Sequence, residues 1–181
     1  MITMRKIKFQ WEDESYKKLS KDEIEFLKQS NYIEQEMSNI ALEDAMYAWD
    51  FAKNYEGRWN VNFILEIHRR LLRHIRPDIA GKIRNCDVYI GGQCKKLISK
   101  AKIKNQLADW IIDMYFRIEH FISPEDHAQF CHIKFENIHP FEDGNGRTGR
   151  ILWQAQRLKF GLPLKIIWES EKDDYYQWFR N

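Results

Sequence analysis

No stretch of this sequence is apolar for long enough to cross a bilayer as a helix, which argues against an integral membrane protein. Neither sign of charge is in large surplus. The formal net charge of +2 is too small to favour nucleic acid or an anionic membrane as a bulk partner. Cysteine is scarce: Cys86, Cys94 and Cys131 are odd in number and form no CxxC pair. They read as reduced thiols, not as a zinc site or a disulfide framework. Internal repeats and low-complexity segments are absent. The first residues, Met1-Ile-Thr-Met-Arg-Lys6, lack the apolar core and small-residue cleavage site of a signal peptide. The expected location is therefore cytoplasmic. What remains is a chain of 181 residues, 44% hydrophobic and 31% charged, suited to one globular domain with an ordinary core.

Helical periodicity dominates. Residues 1–24 are read as a polar lead-in with scattered aromatics, and 25–181 as the domain proper. Ser20-Lys-Asp-Glu23 has the form of a capping box and predicts a short helix through Lys28. Ala41, Ala45, Ala48, Trp49 and Ala52 recur at helical spacing between Ile40 and Tyr55. Asn60 is placed to cap a helix whose stripe is Phe63, Ile64, Ile67, Leu71 and Leu72. After Arg76-Pro77-Asp78 and Gly81 comes the one β signal, residues 84–95. There Val88-Tyr89-Ile90 runs into Gly91-Gly92, as in a short hairpin. Helix resumes over 102–120. Ser123-Pro124-Glu125 starts the next helix with a cap, a first-position proline and an acid. That helix ends near His139, because Pro140 disfavours helical backbone before it. A further helix is expected from Arg147 to Phe160, ended by Gly161-Leu-Pro163. An extended stretch over 164–168 and a closing helix over 173–180 complete the chain. The fold class is mainly α with one small β-hairpin. All seven tryptophans read as core. His120, His127 and His132 read as packed or surface groups. Tyr175, Tyr176, Trp178 and Phe179 read as a cap on the domain.

The chemistry concentrates between His139 and Arg150. Gly144-Asn145-Gly146 ahead of a helix allows successive N–H groups to point at one spot, an anion nest backed by the helix dipole. Arg147 and Arg150, three apart, share the first helical turn and suit a polyphosphate. Asp143 offers Mg²⁺ a carboxylate beside those phosphates. His139 is the nearby side chain able to take a proton near neutral pH. Taken singly, a Gly-Asn-Gly turn, an arginine pair or a histidine at a helix end is ordinary. Their joint occurrence points to a phosphate site. No GxxxxGK[ST] loop and no kinase signature is present.

His139-x-Phe141-x-Asp143-Gly144-Asn145-Gly146-Arg147-x-x-Arg150 matches each position of the signature H-x-F-x-[D/E]-G-N-G-R-x-x-R, and the chain resembles the Fic family over roughly 25–180. The resemblance implies a Fic/Doc-like helical domain that moves AMP from ATP to a Tyr, Thr or Ser hydroxyl of a target protein and releases pyrophosphate. His139 would be the base, Phe141 a buried anchor and Asp143 the Mg²⁺ ligand. Gly144, Asn145 and Gly146 would grip the α-phosphate, Arg147 the β and Arg150 the γ. Val88, Tyr89, Ile90 and Gly91 resemble the flap that docks the target strand by strand addition. A homo-oligomer is compatible with this reading. The alternatives are a Doc-like kinase, a deAMPylase or nucleotide-binding regulator, and a helical DNA-binding protein; the weak charge counts against the last.

Many Fic proteins carry a brake, [S/T]-x-x-x-E-[G/N], whose glutamate pairs with the last arginine of the signature. Ser30-Asn31-Tyr32-Ile33-Glu34-Gln35 resembles it except at Gln35. The implied inhibitory helix spans about 29–36, with Ser30 and Glu34 as its working residues and Arg150 as the partner of Glu34. The register Ser38 to Glu43 is one residue too long.

Overall fold

The computed structural model describes residues 18–86, 98–116 and 123–179. Seven α-helices appear among them: α1 (Lys21–Ile33), α2 (Asn39–Lys53), α3 (Val61–Leu71), α4 (Lys100–Phe116), α5 (Pro124–Ile138), α6 (Asn145–Lys159) and α7 (Lys172–Gln177), with a 3-10 turn at Glu169–Glu171 before the last. The hairpin residues Val88, Tyr89, Ile90 and Gly91 lie outside the described residues, as do Cys94 and most of the lead-in. No strand occurs among the described residues, and 162–168 is irregular.

Local sequence explains most helix starts. Ser20 and Glu23 close a capping box, each side chain accepting the other's backbone N–H at 3.2 and 2.8 Å. Ser38, Asn60 and Ser123 cap α2, α3 and α5 by accepting from Ala41, Phe63 and Asp126. Two expectations need correction. The first helix does not stop at Lys28 but runs on to Ile33, so the capping box and the expected inhibitory segment share one helix. Its apolar anchors Phe26, Leu27 and Ile33 are buried, which carries it past the polar residues that suggested a stop. The last long helix starts at Asn145, two residues before Arg147, so Gly146 lies inside its first turn.

α6 is the centre of the molecule. Residues from Asn145 to Arg157 are buried almost without interruption, and α6 packs against α5, α2, α3 and α1. Trp49, Trp59, Trp110, Phe135, Phe141 and Leu152 fill the main core around it. Each such side chain contributes about 1.5–3 kcal/mol by leaving water. Trp153 belongs to a smaller cluster with Ile33, Ala128, Ile167 and Tyr175, which covers the α1 side of α6. Trp168 departs from the expected pattern, being 42% exposed. α1 is tied to α2 through Glu23, whose carboxylate accepts from Trp49 Nε1 at 2.8 Å and from Lys53 at 2.7 Å.

Candidate active site at the junction of α5 and α6

α5 ends on His139, which has φ 48° and ψ 62°, a left-handed setting rare for a residue with a Cβ. The loop turns back at Gly144, φ 76°, and α6 begins. Gly144 is required twice over. Its φ is left-handed, and a Cβ there would press on Leu72 and on His68. Phe141 is fully buried and anchors the loop in the core. The Asn145 side chain holds the loop closed: its Oδ1 accepts from Phe141 N and its Nδ2 donates to Phe141 O, both at 2.9 Å. The amide is thus committed to the loop, and what Asn145 offers an anion is its backbone N–H.

The N-terminus of α6 differs from those of α1, α2, α3 and α5 in having no side-chain cap. Its first N–H groups and the positive end of its dipole therefore remain available to an anion. Arg147 stands beside them, 4% exposed, with Nε and Nη1 buried and unpartnered. Its Nη2 makes a loose 3.5 Å pair with Asp143, whose side chain is 47% exposed at the site's mouth. Asp143 also accepts the Gly144 N–H at 2.6 Å. Among the described residues no group of three or more His, Cys, Asp or Glu could enclose a metal ion. A single half-exposed carboxylate beside an anion site fits Mg²⁺, which takes few protein ligands and completes its shell with phosphate and water.

Arg150 is fully matched. Its Nε donates to Ser30 Oγ at 2.9 Å and its Nη2 to the Ser30 carbonyl at 2.9 Å and to Glu34 Oε1 at 2.8 Å. Nη1 reaches Tyr175 Oη at 3.4 Å, and the guanidinium lies 5.7 Å from the centre of that ring. Ser30 and Glu34 are one helical turn apart on α1, so both reach the same guanidinium. Glu34 is the cap residue at the end of α1, followed by a Schellman turn: Gln35 N donates to Tyr32 O and Glu36 N to Asn31 O. Gln35 takes the left-handed position, φ 59°, where the family motif has Gly or Asn. The departure at that residue thus preserves the turn. Ser38 is occupied in capping α2, which removes the alternative register. A Cβ on Gly146 would collide with Glu34 Oε1, so that glycine makes room for the carboxylate over the first turn of α6.

Some residues of the site were not anticipated. His68 of α3 stacks face to face on Phe141, centroids 3.7 Å apart and planes 1° from parallel. Its Nδ1 accepts from Gly81 N at 2.9 Å, so Nε2 carries the proton and donates to the Asp143 carbonyl at 3.0 Å. Burial pushes its pKa down to about 4, and the ring stays neutral. A histidine inside the apolar stripe of α3 was the available signal. Glu136 on α5 lies against Gly149, with Oε1 buried and unpartnered. Burial raises its pKa to about 8, against the lowering influence of Arg150. His139 is shifted below the ordinary histidine value, chiefly by burial and also by the Arg84 charge. That direction favours the neutral ring, the form in which an imidazole can take a proton. His132, in contrast, is packed: it meets Tyr175 Oη at 2.8 Å and stacks on Trp153.

The signature geometry is matched by ancestry. Residues 58–156 fit the family model described as Fic/DOC family, which takes in the loop and most of α6.

The chain belongs to the Fic/DOC family.

A protein named Protein adenylyltransferase Fic from Drosophila willistoni is 36% identical over 118 residues, covering 65% of this chain and 23% of that one. Its namesake from Nematostella vectensis is 36% identical over 119 residues, covering 65% of this chain and 27% of that one. The chain spans about a quarter of the length of the curated relatives it matches. Among solved structures, Fic-1 from C. elegans superposes with TM-score 0.74 at 22% identity, covering 91% of this chain and 57% of that chain. A Fic domain containing signaling protein from Bacteroides thetaiotaomicron gives TM-score 0.72 at 20% identity, covering 90% and 76%. These likenesses establish a Fic fold, which is helical among the described residues.

Proposed function

We propose that this chain is a protein adenylyltransferase that moves AMP from ATP to a hydroxyl side chain of a target protein and is held back by Glu34. The observation that carries the reading is the uncapped α6 N-terminus beside a buried, half-unpartnered Arg147 and a His139 whose lowered pKa favours the neutral ring. The family relatives named as adenylyltransferases support it. In this scheme the backbone N–H groups of the nest and Arg147 hold the α- and β-phosphates. His139 takes the proton of the target hydroxyl. The hydroxyl oxygen bonds to the α-phosphorus, the bond to the β-phosphate oxygen breaks, and pyrophosphate departs. Asp143 would hold Mg²⁺, which when bound neutralises phosphate charge. The protein's contribution is positioning and fixed charge, the ordinary means of phosphoryl chemistry.

Arg150 is the residue assigned to the γ-phosphate, and its Nη2 is already bonded to Glu34. A charge-assisted pair at 2.8 Å competes with a phosphate oxygen for the same donor. Replacing Glu34 by Gly is therefore expected to raise ATP-dependent AMP incorporation by roughly tenfold or more, since one such contact is worth about 1.5–3 kcal/mol. The measurement uses ATP labelled at the α-phosphorus with lysate proteins as acceptors. His139→Ala in the Glu34→Gly background should abolish the label. Equal incorporation by the parent and Glu34→Gly would remove Glu34 as a brake. Labelling from the γ-position instead would mean phosphoryl transfer, and adenylyl transfer would be wrong.

A further inference from the structure

The backbone of His139 sits where neither its own residue type nor its neighbour favours it. Left-handed φ and ψ of 48° and 62° cost a residue with a Cβ roughly 1–2 kcal/mol. Pro140 steers the preceding residue toward extended backbone instead. Such a setting persists only where surrounding contacts over-determine it.

Beside the α5 end at Phe135 and the Asn145 closure on Phe141, two of those contacts come from one residue, Arg84, in the irregular chain between α3 and α4. Its Nε donates to the His139 carbonyl at 2.8 Å, and its backbone N–H donates to the Pro140 carbonyl at 2.9 Å. The rest of the fork reaches Cys86 O through Nη1 at 3.0 Å and Ile98 O through Nη2 at 2.6 Å. Arg84 is 3% exposed, and its guanidinium donates to three neutral carbonyls. A buried arginine is more often matched to a carboxylate. A planar guanidinium reaches three carbonyls in fixed directions, which the point charge of a lysine does not.

We propose that Arg84 is a positioning residue for the transfer reaction: it locks the His139 backbone in its left-handed setting and binds it to the chain at Cys86 and Ile98. The inference rests on the reading of His139 as the base. A base serves only when its nitrogen is held in line with the reacting hydroxyl, and the backbone of a helix-end residue sets that line. The Arg84 charge acts in the same sense as burial in keeping the imidazole neutral, while the Glu136 carbonyl and the Glu34 carboxylate act against it.

The test uses Arg84→Lys and Arg84→Met in the Glu34→Gly background. Adenylyl transfer should fall on the order of 10²-fold in Arg84→Met and roughly tenfold or more in Arg84→Lys, which keeps the charge but loses the fork. ATP affinity should stay within about twofold, because Arg147 and Arg150 are untouched. By NMR, the His139 Cα shift should leave its left-handed value in both variants. The His139 pKa should rise in Arg84→Met and hold in Arg84→Lys. Parent-like rates overturn the proposal, and so does a loss of ATP affinity in proportion to rate, which would mean general disruption. Should Arg84→Met fail to fold, Arg84→Lys alone decides by the same criteria. If the Glu34→Gly protein itself transfers no AMP, the functional reading fails first. The His139 Cα shift then still judges Arg84, and an unchanged value in Arg84→Lys overturns the clamp.

Discussion

Arg147 and Arg150 lie one turn apart on α6, both withdrawn from solvent, and their circumstances are opposite. Arg150 has partners along its whole fork: Ser30, Glu34 and Tyr175. Among the described residues Arg147 has a loose pair to Asp143, a longer-range attraction to the Glu36 carboxylate, and two buried nitrogens without hydrogen-bond partners. Folding normally avoids unmatched buried charge because desolvation is not recovered. Two unpartnered guanidinium nitrogens next to an uncapped helix N-terminus are what the proposed anion site requires. At Arg150 the protein fills the adjacent place with its own carboxylate. On the proposed function, the difference puts the resting block at the Arg150 end of the site and the less occupied donors at the Arg147 end.

The largest effect should come from Arg147→Met in the Glu34→Gly background. Transfer is expected to fall by about 10²–10³-fold, the usual cost of losing a preorganised charge donor. Thermal stability should hold or rise, since an unmatched buried charge has gone. A large drop in Tm would break the comparison by showing that Arg147 is structural. Arg150→Met should do the reverse to stability, costing roughly 2–4 kcal/mol by denaturant unfolding, because Ser30 and Glu34 lose their shared partner. Glu34 is one-third exposed and recovers some hydration, which keeps the loss below that of a sealed pair.

Glu136 sharpens the picture on the acid side. Glu34 takes Arg150, while Glu136, close by, stays protonated up to about pH 8 through burial. Its folded pKa lies above the ordinary 4.5, so its contribution is full below about pH 4.5 and is lost as pH rises through about 8. Glu136→Gln lacks that loss. Urea unfolding of the two proteins should diverge across this window, with Glu136→Gln ahead by about 1–3 kcal/mol above pH 8. Parallel curves would mean Glu136 is ionised and matched in the fold. The smallest effect is at the end of α1. Gln35→Gly relieves a left-handed side chain and should stabilise by up to about 1 kcal/mol, with the Glu34–Arg150 pair intact. A stability change of the opposite sign would show the Gln35 side chain to be a contributor in its own right.

Which parts were legible follows from range. Caps, helix faces and the loop motif are encoded within a few residues, so Ser20, Asn60, Ser123 and the run from His139 to Arg150 could be read directly, whereas the Ser38 cap emerged only from the structure. Helix extent was less legible. Whether α1 stops at Lys28 or reaches Ile33 depends on Phe26, Leu27 and Ile33 finding a surface to bury against. The hairpin residues from Val88 to Gly91 lie outside the described residues. His68, Arg84 and Glu136 escaped notice because their meaning lies in contacts, and Tyr175 was read as a packing residue without its bond to Arg150. His68 and Arg84 meet partners 75 and 55 residues away.

The sequence by itself determined the family, the helical class and the set of groups able to hold phosphate and move a proton, because those are properties of residue type at short spacing. Only the tertiary structure decided what each group is doing at rest. It placed α1 across α6, gave Arg150 to Ser30 and Glu34, left two nitrogens of Arg147 unpartnered, and set Arg84 against His139. Hydrogen bonds and ion pairs act over about 3 Å, so the assignment of partners waits on which helices pack together.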